Sequence, residues 1–187
     1  MSEKAAALCA EGLELMTQHK WEEAEEKITL ALEEDGMSPE LWYNLGKCRF
    51  HQNKFEEAIG ALQSAITWYY EFTSYVTEDG VQYPVKGKKY VEAYALMGNC
   101  FYAQRKLAIA KSCFLDATHR DNTPEFNREC RTAAAHAELI EGKYKTGFLD
   151  YQQRLAEPDT WDGNESLRGK TLLIKAEGGL GDQIFFA

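Results

Sequence analysis

The residues most suggestive of chemistry lie near the end of the chain, in a glycine-rich loop. Residues 169–176 have an apolar centre and are predicted to form a buried strand. Gly178, Gly179 and Gly181 follow, and Asp182 precedes a predicted helix start. Glycines let a backbone approach a phosphate, and a helix N-terminus favours negative charge. This pattern is typical of the start of an α/β nucleotide-binding domain, although it is neither Gly-x-Gly-x-x-Gly nor a Gly-Lys-Ser/Thr phosphate loop.

The cysteines and histidines do not form a metal-binding pattern. The chain has 5 cysteines, and no two of them form a Cys-x-x-Cys pair. Each lies on a predicted helix among apolar residues, which predicts buried free thiols in a reducing compartment. The 4 histidines lie far from any paired cysteine, so we expect no metal and no cofactor.

The charge and hydropathy of the chain limit its partners. The formal net charge is −9 at pH 7, so the chain repels phosphate backbones and a nucleic-acid partner is not expected. The charge is explained by solubility or, alternatively, by a basic partner. The N-terminus lacks a charged-then-apolar leader, and no apolar run approaches the ~18 residues of a membrane span. A cytoplasmic protein without a membrane span is therefore expected.

Similar residues recur at an offset of 34 positions in the first part of the chain. The pairs are Leu8 and Trp42, Gly12 and Gly46, Trp21 and Phe55, Ala24 and Ala58, and Ala31 and Ala65. This offset is the period of a helix–turn–helix repeat. The chain is therefore predicted to be mostly a binding surface.

The second repeat carries the clearest pattern. Trp42, Leu45 and Gly46, followed by Phe55 and Ala58, resemble the tetratricopeptide repeat (TPR). The resemblance implies an all-α solenoid of helical hairpins, wound as a right-handed superhelix over residues 3–156. Its repeats are predicted at about 5–37, 38–70, 91–122 and 124–156. Arg49 departs from the pattern where a tyrosine is usual, and Asn53 is predicted to be left-handed between the helices.

An insert separates the second and third repeats. Gly98 lies 52 residues after Gly46, so 18 residues are inserted, at about 67–90. The insert is predicted to extend the preceding helix over 67–72 and then to turn at 78–80. One helix stripe cannot bury all of the aromatic residues of the insert, so some of them must face a partner, another protomer or the folded-back insert. These residues are Trp68, Tyr69, Tyr70, Phe72 and Tyr75.

The TPR resemblance implies a concave groove, lined by the first helix of each repeat, that binds a peptide or a protein partner. The predicted groove residues are Leu13, Met16, Tyr43, Asn44, Lys47, Phe50, Leu96, Asn99 and Tyr102. Aromatic rings would supply contact area, and Asn44 and Asn99 would hold a backbone amide. For Phe50 and Tyr102, packing between neighbouring helices is the alternative.

Some TPR proteins clamp a C-terminal carboxylate with lysines, an arginine and asparagines. Here Tyr43 occupies the place of the first lysine, and Glu92 occupies that of a later one. The sequence therefore argues against a receptor for chaperone tails.

The C-terminal part has a second resemblance. Residues 151–155, then Trp161 and Gly163, and then the glycine loop resemble bacterial TPR-linked glycosyltransferases with a heptosyltransferase-like GT-B region. The resemblance implies that Asp182 is the general base and that the three loop glycines shape a sugar-nucleotide or phosphate site. A helix N-cap is the alternative role of Asp182. Residues 157–169 are predicted as a linker, and residues 170–187 as the start of a truncated α/β domain.

Two functions follow from these patterns. The first is a TPR protein-interaction module that is non-catalytic as given. The alternative is the acceptor-recognition arm of a glycosyltransferase whose catalytic domain is missing here, because a parallel α/β domain needs several βαβ units. Self-association through the aromatic insert is a third possibility.

Overall fold

The computed structural model describes residues 2–72, 75–78, 81–84, 90–119, 123–152 and 168. The chain divides into two compact units, Met1–Arg154 and Leu155–Ala187. All described residues except Arg168 lie in the first unit, and the following account concerns that unit.

The first unit consists of helices paired into four hairpins, so the predicted all-α repeat architecture is confirmed. The helices are α1 (Glu3–Thr17), α2 (Trp21–Glu34), α3 (Pro39–His51), α4 (Phe55–Phe72), α5 (Val91–Ala103), α6 (Leu107–Thr118), α7 (Pro124–Ile140) and α8 (Tyr144–Gln152). Each helix packs mainly on its neighbours in sequence, and α3 also contacts α1 and α5. We call α1, α3, α5 and α7 the first helices and the others the second helices.

Glycines allow the two helices of a hairpin to approach closely. A Cβ atom added to Gly98 would lie 2.6 Å from the Phe114 ring, and one added to Gly46 would lie 2.8 Å from Leu62. Gly12 faces Ile28 in the same way, with 2.7 Å to its Cδ1. Glycine is favoured at these three positions because a large apolar side chain of the second helix occupies the space that a Cβ atom would need.

The turns inside the hairpins share one backbone conformation. Asn53 has φ 61°, which confirms its predicted left-handed conformation. His19, Arg105 and Gly142 hold the corresponding turns with φ of 59°, 60° and 80°. The turn geometry is thus the same in all four hairpins, although only one of the four residues is a glycine.

The insert contains a β-hairpin after the predicted extension of α4. Strands β1 (Tyr75–Glu78) and β2 (Val81–Pro84) pair antiparallel, with Glu78 opposite Val81 and Tyr75 opposite Pro84. The helix extension to Phe72 is as predicted. The strands differ from the sequence prediction, which gives this segment only a turn at 78–80.

All five cysteines are free and buried, as the sequence predicted. Burial raises the pKa of the Cys48 thiol to about 11 and that of Cys100 to about 12. These thiols are therefore protonated at neutral pH and act as small apolar side chains in the core.

Candidate functional site

The first helices present one row of equivalent residues. Leu13, Lys47 and Asn99 each follow the close-packed glycine of their own helix, so they occupy the same place in three successive repeats. Because α3 lies between α1 and α5, these residues come from adjacent helices. Leu13 and Asn99 are exposed and Lys47 is half-buried. We call this set the groove row.

Two of the predicted groove residues lie in the core instead. Met16 is 6% exposed and packs with Ala24 and Cys48. Asn44 is 5% exposed, and its side chain lies near Cys9 on α1, where burial raises the pKa of the thiol and Asn44 lowers it by less. The contact between α1 and α3 therefore covers Asn44. Neither residue is therefore placed to meet a ligand.

The remaining predicted residues are half-buried between helices. Phe50 packs against Phe55 with ring centroids 5.9 Å apart. Leu96 contacts the same apolar cluster as Phe50, and Tyr102 contacts the cluster around Phe114. Phe50 and Tyr102 therefore pack partly between helices, which is the alternative to a position in the groove.

Three tyrosines meet where the second repeat contacts the third. The ring of Tyr90 lies 5.2 Å from that of Tyr43, edge to face, and 5.3 Å from that of Tyr69. We call these three residues the tyrosine cluster. Lys47 Nζ lies 5.8 Å from the centroid of the Tyr43 ring. Tyr43 is therefore part of a larger aromatic surface than the sequence predicted.

Tyr69 belongs to the aromatic run of the insert, and its contact with Tyr90 lies within one chain. The side chains of Tyr70, Phe72 and Tyr75 lie outside the described residues. The described part of the run therefore supports folding back and gives no separate support for self-association.

Tyr90 was missed because it lies at the end of the insert, one residue before α5. Its position beside the first turn of a first helix could have indicated a contact with the neighbouring repeat.

A charged cluster fixes α3 against α2, at what we call the 1–2 joint. Glu25 Oε1 accepts a hydrogen bond of 2.8 Å from Arg49 Nε, and Oε2 accepts bonds of 2.8 Å from Gln52 and 3.0 Å from Lys54. Burial alone would raise the pKa of Glu25, but hydrogen bonds from Arg49, Lys54 and Gln52 lower it overall. Arg49, which departs from the TPR pattern, is thus the partner of a carboxylate in the preceding repeat.

The contact between α6 and α7, the 3–4 joint, uses the same two positions with the charges reversed. Glu25 and Lys111 each follow the close-packed alanine of a second helix, Ala24 or Ala110. Arg49 and Glu138 are the equivalent residues of the first helices. Lys111 donates to Glu138, whose side chain is 5% exposed, and this bond lowers the pKa of the carboxyl group.

At the contact between α4 and α5, the 2–3 joint, the same positions hold Ile59 and Phe101, which belong to one apolar cluster. The three joints therefore use an acid–base pair, an apolar pair and a base–acid pair in turn.

The predicted C-terminal site lies outside the described residues. This applies to Gly178, Gly179, Gly181 and Asp182. Within the described part of the chain, no group of three His, Cys, Asp or Glu side chains is arranged to hold a metal ion. Over that same part, no helix combines the length and apolar character that a membrane crossing needs.

Comparison with known proteins agrees with this geometry. Residues 9–71 match the family model of the tetratricopeptide repeat. A search of curated proteins found no match to the chain.

Several solved structures share the fold. MamA has 19% sequence identity and a TM-score of 0.66, over 81% of this chain and 76% of that chain. The TPR2B domain of yeast Sti1 in its complex with pHsp70 has 20% identity and a TM-score of 0.60, over 74% of this chain and 99% of that chain.

The first TPR of Spaghetti (RPAP3), bound to the HSP90 peptide SRMEEVD, has 24% identity and a TM-score of 0.56, over 72% and 93%. Similarity at these identities shows the fold alone. The described unit therefore has the fold of a TPR solenoid.

Proposed function

We propose that this chain is a protein-interaction module that binds an extended peptide or protein segment across its first helices. The observation that carries the proposal is the groove row, in which Leu13, Lys47 and Asn99 come from three adjacent first helices. An apolar, a cationic and an amide side chain in sequence suit a peptide, which offers apolar side chains and backbone amides at regular intervals.

The rigid joints favour this function because they hold the row in place before a ligand arrives. Arg49 and Glu25 fix α3 against α2, and the apolar cluster around Leu62 and Cys100 joins α4 to α5. A preorganised surface loses less conformational entropy on binding than a flexible one. Two of the similar TPR structures were solved with peptides or partners of the HSP90 and Hsp70 systems, which is consistent with peptide binding by this fold.

The experiment uses peptides selected from a random-sequence display library on the full chain. Their affinity is measured by fluorescence anisotropy for the triple variant Leu13→Ala, Lys47→Ala, Asn99→Ala. We expect binding to weaken at least ~10-fold, because truncation of a few interface residues commonly costs more than ~1 kcal/mol each.

The matched control is Leu30→Ala, Gln63→Ala, Lys145→Ala, which changes exposed residues of the second helices with the same chemistry. Equal affinity of the two triple variants would contradict the proposal. Asn44 is left unchanged, because replacing a buried residue would disturb the contact between α1 and α3.

We also propose, as a second function, that the module is the acceptor-recognition arm of a glycosyltransferase located in the cytoplasm. Its support is the sequence similarity of residues 151–182 to TPR-linked glycosyltransferases. Sequencing the DNA that follows codon 187 tests it: a continuing reading frame that encodes a GT-B domain is expected, and an immediate stop codon would contradict it for this molecule.

A further inference from the structure

Two exposed glutamates of the described residues lie beside the tyrosine cluster. Glu40 lies in the first turn of α3 and Glu92 in the first turn of α5, and both side chains are exposed. Over the part of the chain that the structure describes, neither carboxylate forms an ion pair. Among the described residues, no cation of the chain therefore neutralises them.

Both carboxylates act on the same ring. Burial is the largest cause that raises the pKa of Tyr90, and the charges of Tyr43, Glu40 and Glu92 raise it further. Burial and then Glu92 raise the pKa of Tyr43. Glu40 precedes Tyr43 by one turn of α3, Glu92 follows Tyr90 by two residues, and the two rings are in contact, so the glutamates of neighbouring repeats lie beside one aromatic surface.

Lys47 shows that this surface accepts a cation. Its ammonium group lies 5.8 Å from the centroid of the Tyr43 ring, within the range of cation–π attraction. Lys47 has no carboxylate partner among the described residues, and the contact shown there for its ammonium group is with the Tyr43 ring. A second cation beside the cluster would meet the two glutamates.

We propose that Tyr43, Tyr90, Glu40 and Glu92 form a subsite for a lysine or arginine side chain of the bound protein segment. This inference rests on the proposed function, since it assumes that a segment lies across the first helices. The carboxylates attract the cation from solution, and the tyrosine rings provide contact for its aliphatic part and its charge. The occupant is thus a basic segment of a protein, which agrees with the net charge of −9.

The test uses three pools of random peptides of one length, which carry lysine and arginine, no charged residue, or aspartate and glutamate. Each pool is immobilised and the full chain is bound to it at two salt concentrations. We expect the basic pool to retain the most protein and to lose it as salt rises. The variant Glu40→Gln, Glu92→Gln should reduce binding to the basic pool about 10-fold.

The control Glu22→Gln, Glu26→Gln removes the same charge from exposed positions of α2 and should retain most of the binding. Equal losses in the two double variants would overturn the subsite, because net charge alone would then explain the preference. Preference for the uncharged or acidic pool, with binding still lost in the groove-row variant, would overturn the subsite and leave the proposed function standing. Retention of no pool would count against both.

Discussion

At the 1–2 joint Glu25 faces Arg49, whereas at the 2–3 joint the equivalent residues are Ile59 and Phe101. The hairpins on either side have the same close-packed glycine and the same left-handed turn. The two joints therefore connect hairpins of the same local geometry through different chemistry. One position tolerates an ion pair or an apolar pair, provided that both partners change together.

The 3–4 joint adds the reversed pair, Lys111 with Glu138. If α7 stacked on α2 in place of α6, Glu138 would face Glu25, and like charges in a half-buried joint repel. The charged joints thus favour the correct order of the repeats, whereas the apolar joint contributes mainly buried surface.

The largest effect is expected from a charge placed in the apolar joint. Ile59 is 6% exposed, so Ile59→Glu buries a carboxylate without a partner and should cost about 3 kcal/mol or more. Phe101→Arg should also destabilise, but the double variant recreates the pair of the 1–2 joint. We expect it to recover about 1 kcal/mol or more relative to the sum of the single costs. Urea denaturation followed by circular dichroism measures these values.

Ile109→Glu is the control, because Ile109 is 49% exposed on a second helix and the same change there should cost less than about 0.5 kcal/mol. Additive effects in the Ile59 and Phe101 double variant would show that the positions do not pair. The equivalence of the three joints would then fail.

A smaller effect is expected from acid, and it should separate the charged joints from the apolar one. The pKa values of Glu25 and Glu138 are lowered from 4.5 in the folded chain, so their stabilisation is fully present above pH 4.5 and is lost as pH falls through the folded values. The urea midpoint of the unchanged chain should therefore decrease below pH 4.5. The double variant Glu25→Gln, Glu138→Gln should have a lower urea midpoint at neutral pH. Its midpoint should then change less as the pH falls.

The double glutamine variant should cost about 2 kcal/mol at neutral pH, since Lys111 loses its carboxylate partner and Arg49 keeps only Glu57, at 3.8 Å. Glu22→Gln, Glu26→Gln serves again as the control, because these glutamates are exposed. An unchanged pH profile in the Glu25 and Glu138 variant would show that other carboxylates dominate the acid response.

The sequence predicted the features that recur in each repeat, and it missed those that depend on contacts with a neighbouring segment. The glycine spacing located the hairpins, and Asn53 indicated a left-handed turn. The TPR resemblance predicts Asn44 in the groove, yet this residue is 5% exposed between α1 and α3. The strands had a local signal, because an Asp79–Gly80 pair flanked by Val76 and Val81 is typical of a hairpin.

The joint pairs could also have been found from the sequence. Glu25 and Ile59 have the same 34-residue offset as Gly12 and Gly46, and Arg49 and Phe101 have the same 52-residue offset as Gly46 and Gly98. Comparing each second helix with the following first helix would have revealed that the partners change together. The tyrosine cluster could not be found in this way, since Tyr69 and Tyr90 lie on opposite sides of the insert, where the repeat period is broken.

The smallest effects concern the lysines that follow the turns. Lys54 bonds Glu25 at 3.0 Å in the charged joint, and Lys106 bonds Glu56 at 2.9 Å next to the apolar joint. The side chain of Glu25 is 16% exposed and that of Glu56 is 74% exposed, so solvent screens the second pair far more. Lys54→Ala should therefore cost about 1 kcal/mol and Lys106→Ala less than about 0.5 kcal/mol.

Urea denaturation at low and high salt measures both values, with Lys145→Ala as an exposed control on α8. The loss in Lys54→Ala should persist in salt because Glu25 is largely shielded, whereas any loss in Lys106→Ala should vanish. If the two substitutions reduced the free energy of unfolding equally at both salt concentrations, burial of the carboxylate would not distinguish the joints. The contrast between a charged joint and an apolar one would then be limited to the central pair of residues, Glu25 with Arg49 and Ile59 with Phe101.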